Sequence, residues 1–154
     1  MKKLLAAVVI VAAFAVSASA QSPIKFSLFD QVAWPQTEKA NLGLGLLYSN
    51  TPEVSGLDFN LFVSKVDNLT GVQLSAVNIN DKGQGAHLGV VNYGSGDLTG
   101  FQYGFVNYAN SFKGLQLGFV NYINTIDKGL QIGLVNVIRN NGWLPFMVIV
   151  NGRF

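Results

Sequence analysis

Apolar and polar residues alternate along this chain in short runs that keep returning. The run KGLQLGFVNY (113–122) has near-copies on either side, TGFQYGFVNY (99–108) and KGLQIGLVNV (128–137). With Gly114 taken as position zero, units begin at Asn41, Gly56, Gly71, Gly85, Gly100, Gly114, Gly129 and Leu144, in steps of 14 or 15 residues. A divergent first unit, PIKFSLFD, starts at Pro23. Positions one, three and five are apolar in all eight clear units (Leu115, Leu117 and Phe119 in the unit at Gly114), and position six is apolar throughout. Position two is Gln at Gln73, Gln102, Gln116 and Gln131. Position four is Gly in five units, among them Gly89, Gly104, Gly118 and Gly133. Position seven is Asn in the last six, including Asn92, Asn107, Asn121 and Asn136.

Apolar spacing of two, rich in Val, Phe and Tyr, predicts strands. Turn-formers such as Asn-Asp-Lys-Gly (80–83), Gly-Ser-Gly-Asp (94–97) and Arg-Asn-Asn-Gly (139–142) separate the units. The pattern therefore predicts a single all-β repeat domain over residues 21–154, with short turns between strands.

Two architectures satisfy that pattern. The first is an antiparallel β-barrel of about eight (8–10) short strands, of the outer-membrane type. The second is a parallel β-solenoid with one coil per 14–15-residue repeat, in which like positions stack into Gln, Gly and Asn ladders. Charge placement favours the barrel. Positions one to eight of the eight units carry one charge, Asp58, while Asp81, Lys82, Asp97, Lys113, Asp127, Lys128 and Arg139 fall in the turns. Membrane strands exclude charge from a central band and release it at the rims. Steps that alternate 14, 15, 14, 15 between Gly71 and Gly129 would suit hairpins at the two ends of a barrel. The final residues Phe146, Val148, Val150 and Phe154 resemble the C-terminal assembly signal of bacterial outer-membrane barrels. Leu, Phe and Val would then face lipid, with Gln, Gly and Asn lining a narrow interior.

Two observations favour the solenoid. Apolar residues at both five and six break the alternation at the same place in every unit, which suits a corner. The spacing Gln-x-Gly-x-x-Asn-x-Ala (Gln102 to Ala109) is similar to the curlin repeat of amyloid-like bacterial fibres. Against it, a coil of about 15 residues would be crowded if positions one, three, five, six and eight all turned inward.

Composition narrows the setting. Lys2 and Lys3, an apolar run from Leu4 to Val16 and Ser17-Ala18-Ser19-Ala20 read as a secretory signal peptide over residues 1–20. Removing it takes Lys+Arg from 10 to 8, equal to the 8 Asp+Glu, so the remaining chain is neutral. No basic stripe offers a nucleic-acid surface. Without cysteine there is neither a disulfide framework nor a thiolate metal site.

The repeated octamer and the closing stretch Gly142-Trp143-Leu144-Pro145-Phe146 resemble the bacterial exported "surface repeat" family, built from roughly 15-residue units. That resemblance implies export and an outer-membrane or cell-surface setting, with no assigned activity. The units at Asn41 and Gly56 depart from it, with Tyr48 and Val63 where Asn is expected.

Reactive groups are sparse. His87, the sole histidine, stands where sister units carry Gln and reads as a Gln substitute. No catalytic, metal or cofactor site is expected, and no enzyme. Tyr93, Tyr108 and Tyr122 form a stripe that reads either as an interfacial belt or as cross-strand packing. The expectation is a non-enzymatic cell-envelope protein: a structural outer-membrane barrel partnered by lipid and the barrel-assembly machinery, or a secreted or surface-displayed solenoid acting as adhesin or matrix element through a flat Gly/Gln/Asn face. The oligomeric state is left open.

Overall fold

The chain is seen here in a computed structural model, which describes residues 21–29 and 32–154; residues 1–20, which the sequence reads as a signal peptide, lie outside the described residues. The strands are β1 (Gln21–Phe29), β2 (Val32–Trp34), β3 (Lys39–Gly45), β4 (Tyr48–Asn60), β5 (Val63–Leu74), β6 (Val77–Leu88), β7 (Val91–Asn140) and β8 (Phe146–Arg153). They form one sheet in the order β2-β1-β3-β4-β5-β6-β7-β8. From β1 through β7 every pair is parallel, and only the terminal strands β2 and β8 run antiparallel to their neighbours. Strand β7 alone is 50 residues long and winds through more than three repeats.

This is a β-solenoid, and the antiparallel barrel is not formed. A barrel made of one strand per unit needs consecutive units to pair head to tail. Here like meets like: Gly56 faces Gly71, Gly71 faces Gly85 and Gly85 faces Gly100. The divergent first unit keeps this register, with Lys25 beside Gly43 and Gly43 beside Asp58. Such pairing brings identical amides within reach of each other, which no hairpin register can do for every unit at once. The 14- and 15-residue steps reflect local bulges, not two hairpin ends. Between β6 and β7 the offset changes from 14 (Asn80 to Gly94) to 15 (Gly83 to Leu98), so the extra residue is absorbed in the turn.

The chain bends at positions four to six, at Leu46-Leu47, Leu61-Phe62, Ser75-Ala76 and Gly89-Val90. This is the corner signalled by two successive apolar residues. A second constraint sits at position zero, where Gly56, Gly71, Gly85, Gly100, Gly114 and Gly129 take φ values of 129–154°. A Cβ on Gly114 would lie 1.9 Å from the carbonyl oxygen of Gly100, so the coils close only with glycine there.

Inside and outside follow from these corners. Positions two and seven point inward and are fully buried, as at Gln116 and Asn121. The apolar core lies on the other side of the lumen, built by Leu98, Ala109, Phe112, Ile123, Ile126 and Ile138, with a smaller group of Val54, Val66 and Leu69. These core residues come from the segments expected to be turns. The apolar odd positions face outward instead, so the crowding objection to the solenoid does not arise. The last unit is also not a parallel coil. After Asn141 (φ 68°) and Gly142 the chain reverses, and β8 covers the final coil with Arg153 opposite Gly129 and Phe146 opposite Val137.

Candidate functional site

Two features stand out at the level of side chains, an amide interior and an apolar exterior. In the interior, Gln131 Nε2 donates to Gln116 Oε1 at 2.8 Å and Gln116 Nε2 donates to Gln102 Oε1 at 2.5 Å. This ladder donates towards the N-terminal coils. The asparagines run the other way. Asn78 donates to Asn92, Asn92 to Asn107, Asn107 to Asn121 and Asn121 to Asn136, each through Nδ2 to Oδ1 at 2.7–2.9 Å. The same Nδ2 groups also reach main-chain carbonyls at position three, as Asn107 does to Leu117 and Asn121 to Ile132. Each asparagine therefore clamps the corner as well as its neighbour.

Position four must be glycine because the asparagine amide occupies its side-chain space. A Cβ on Gly118 would stand 2.5 Å from Asn107 Nδ2 and 2.4 Å from the Gly104 carbonyl oxygen. The same holds at Gly89, Gly104 and Gly133. Ser75 occupies this position one unit before the run of glycines, and its hydroxyl donates to Asn78 Oδ1 at 2.7 Å. It closes the asparagine ladder at its first member.

The units at Asn41 and Gly56 depart from the asparagine pattern, as Tyr48 and Val63 suggest. Their corners are one residue longer, so serines, Ser49 and Ser64, align with Asn78. At position two the column holds Asp58 and His87 among the glutamines. Asp58 accepts from Ser64 Oγ and from Asn60 Nδ2 (2.8 Å). Burial raises its pKa, against the lowering effect of those hydrogen bonds and of Lys25. Its Oδ1, like Asn60 Oδ1, has no hydrogen-bond partner. His87 is 3.4 Å from Gln73 Oε1 through Nδ1, and burial lowers its pKa to about 4. It is held neutral in the Gln column, the place its sequence position suggests.

The flat Gly/Gln/Asn face expected to serve as a binding surface is not on the surface. Gln73, Gln102, Gln116, Gln131, Asn92, Asn107, Asn121 and Asn136 are all 0% exposed. What the coils present outward is apolar. Phe26, Leu28, Phe59, Leu61, Tyr103, Phe105, Phe119, Ile132 and Leu134 are each more than two-fifths exposed. Positions three and five stand as two parallel columns astride the position-four glycines. Together they enclose an open groove of about 640 Å³, with Tyr103, Leu117 and Ile132 on one wall and Phe105, Phe119 and Leu134 on the other. Ile149 of β8 closes one end.

Aromatic rings stack from coil to coil along this exterior. Phe105 and Phe119 lie 4.6 Å apart between centroids, and Tyr93, Tyr108 and Tyr122 follow each other at 4.9 and 5.2 Å. The tyrosine stripe is thus a stacked column along the solenoid axis. On β8, Phe146 and Val148 are exposed and Val150 is half-buried; just beyond it, Phe154 is exposed and packs against Trp143 with centroids 5.1 Å apart. Among the described residues no three His, Cys, Asp or Glu side chains cluster closely enough to hold a metal.

No family model, curated protein or solved structure matches the chain, so the likeness to surface-repeat proteins rests on the octamer itself.

Proposed function

We propose that this protein is an exported, non-enzymatic element of the bacterial cell surface, a rigid solenoid whose apolar exterior is its working face. The observation that supports this most directly is the burial pattern within the octamers. Their inward positions hold hydrogen-bonded amides, while their Leu, Phe, Tyr and Ile are left outside in ordered columns. A folded monomer seldom leaves a contiguous apolar patch above a few hundred Å² without using it. Every coil contributes to this one, from Phe26 in β1 to Leu134 in β7. The octamer's resemblance to surface repeats and the signal-peptide pattern of residues 1–20 agree with an adhesive or matrix role outside the cytoplasm.

Fractionation of cells making the full chain, with protease added to intact cells, tests the setting. The expected result is loss of the leader and accessibility to protease at the surface. A protein retained in the cytoplasm with residues 1–20 uncleaved would end this reading.

A further inference from the structure

The reading of the exterior as a working face leaves open what covers it, and the geometry points to a second copy of this chain. We propose that two solenoids pack face to face, each placing its position-five column in the glycine-floored groove of the other. This rests on the apolar face being functional, but not on where the protein resides.

Three features carry the assignment. The first is shape. The groove over Gly104, Gly118 and Gly133 runs beside a ridge formed by Phe105, Phe119 and Leu134. Ridge and groove lie on the same face with the same repeat along the axis, the strand spacing of about 4.8 Å. A partner must present rows at that spacing to mesh, and a second copy does so by construction. An isologous two-fold contact lets each ridge meet the other's groove.

The second feature is area. Eight coils at about 4.8 Å, each presenting positions one to five over four steps of about 3.3 Å, give roughly 500 Å² per copy. Two copies would bury roughly 1,000 Å², the lower bound for a specific interface. The third is charge. Positions one to eight of the repeated units hold only Asp58, which is turned inward and 0% exposed. Neither copy would strand a charge in the contact, since Lys82, Lys113, Asp127 and Lys128 lie in the strand segments between octamers, away from positions three to five.

The test uses the exported chain, which has no cysteine of its own. Sedimentation over a range of concentrations should show a dimer. Phe119→Lys should shift it to monomer with at least a tenfold weaker association and an unchanged circular dichroism spectrum. Lys82→Glu, in β6 between two octamers, should leave association as it was. Should Phe119→Lys fail to fold, single cysteines keep the question decidable. Phe119→Cys should give a covalent dimer with a short bis-maleimide, and Lys82→Cys should not. A wild type that stays monomeric, or association unaffected by Phe119→Lys, overturns the proposal. So does a monomer that floats with phosphatidylcholine vesicles, because the face would then belong to lipid. None of these outcomes bears on export, which the fractionation decides separately.

Discussion

At the scale of single residues, the coil is set by where a side chain cannot be. Gly114 combines φ 138° with a Gly100 carbonyl oxygen 1.9 Å from its missing Cβ. Gly114→Ala should therefore cost about 1–3 kcal/mol or more in strain, read as a lower midpoint in chemical denaturation. His87 gives a different kind of handle. Its folded pKa of about 4 lies below the ordinary 6.5, so the unfolded chain takes up a proton that the folded chain refuses. Stability should be full above pH 6.5, fall between 6.5 and about 4, and level off below, with a total loss of about 3 kcal/mol. His87→Gln should remove that acid-side decline in denaturation series at several pH values. Asp58, raised by burial, works with the opposite sign, so only the difference between variant and parent isolates the histidine.

At the scale of the strand, the same alternation serves either a barrel or a solenoid, and only direction of pairing separates them. Leu117 illustrates the outcome, because it lines the outer groove and not a packed interior. Leu117→Arg should still give a folded coil with an unchanged circular dichroism spectrum, whereas Ile126→Arg, on the fully buried apolar side, should abolish folding. The repeat, its phase and the corner near positions five and six, as at Leu46-Leu47 and Leu61-Phe62, are legible in the sequence because each is a local pattern. Which side faces in depends on the architecture assumed: the barrel reading sends Leu and Phe outward and the amides inward, the solenoid reading the reverse. The solenoid nevertheless keeps the octamer amides inside, because parallel register lets Gln102, Gln116 and Gln131 satisfy one another. The core residues Phe112, Ile123 and Ile126 escape notice for a related reason. Phe112 and Ile126 stand beside Lys113 and Asp127, and Ile123 beside Asn124, and these polar neighbours make the segments look like turns. The last unit misleads as well, since its apolar alternation is that of a strand while Asn141, Gly142 and Pro145 reverse its direction.

At the scale of the whole molecule, a stack of parallel coils has two raw edges, and each is met by an antiparallel strand. Strand β8 pairs with the last coil from Gly129 to Val137, and β2 pairs with β1 near Phe26. Ending the chain after Asn141 should expose the final coil to other edges and produce concentration-dependent, end-to-end assemblies visible by light scattering. The intact chain should not form them, and equal scattering from both would refute the capping role of β8. The two amide ladders bear on how long such a stack could become. Gln donates towards one end and Asn towards the other, so their bond dipoles oppose each other along the axis. Adding a coil therefore extends both ladders at once, one bond in each sense. A gene that duplicates one 15-residue unit would lengthen the protein by a single strand spacing with every new amide partnered, which makes repeat number a free variable for setting reach.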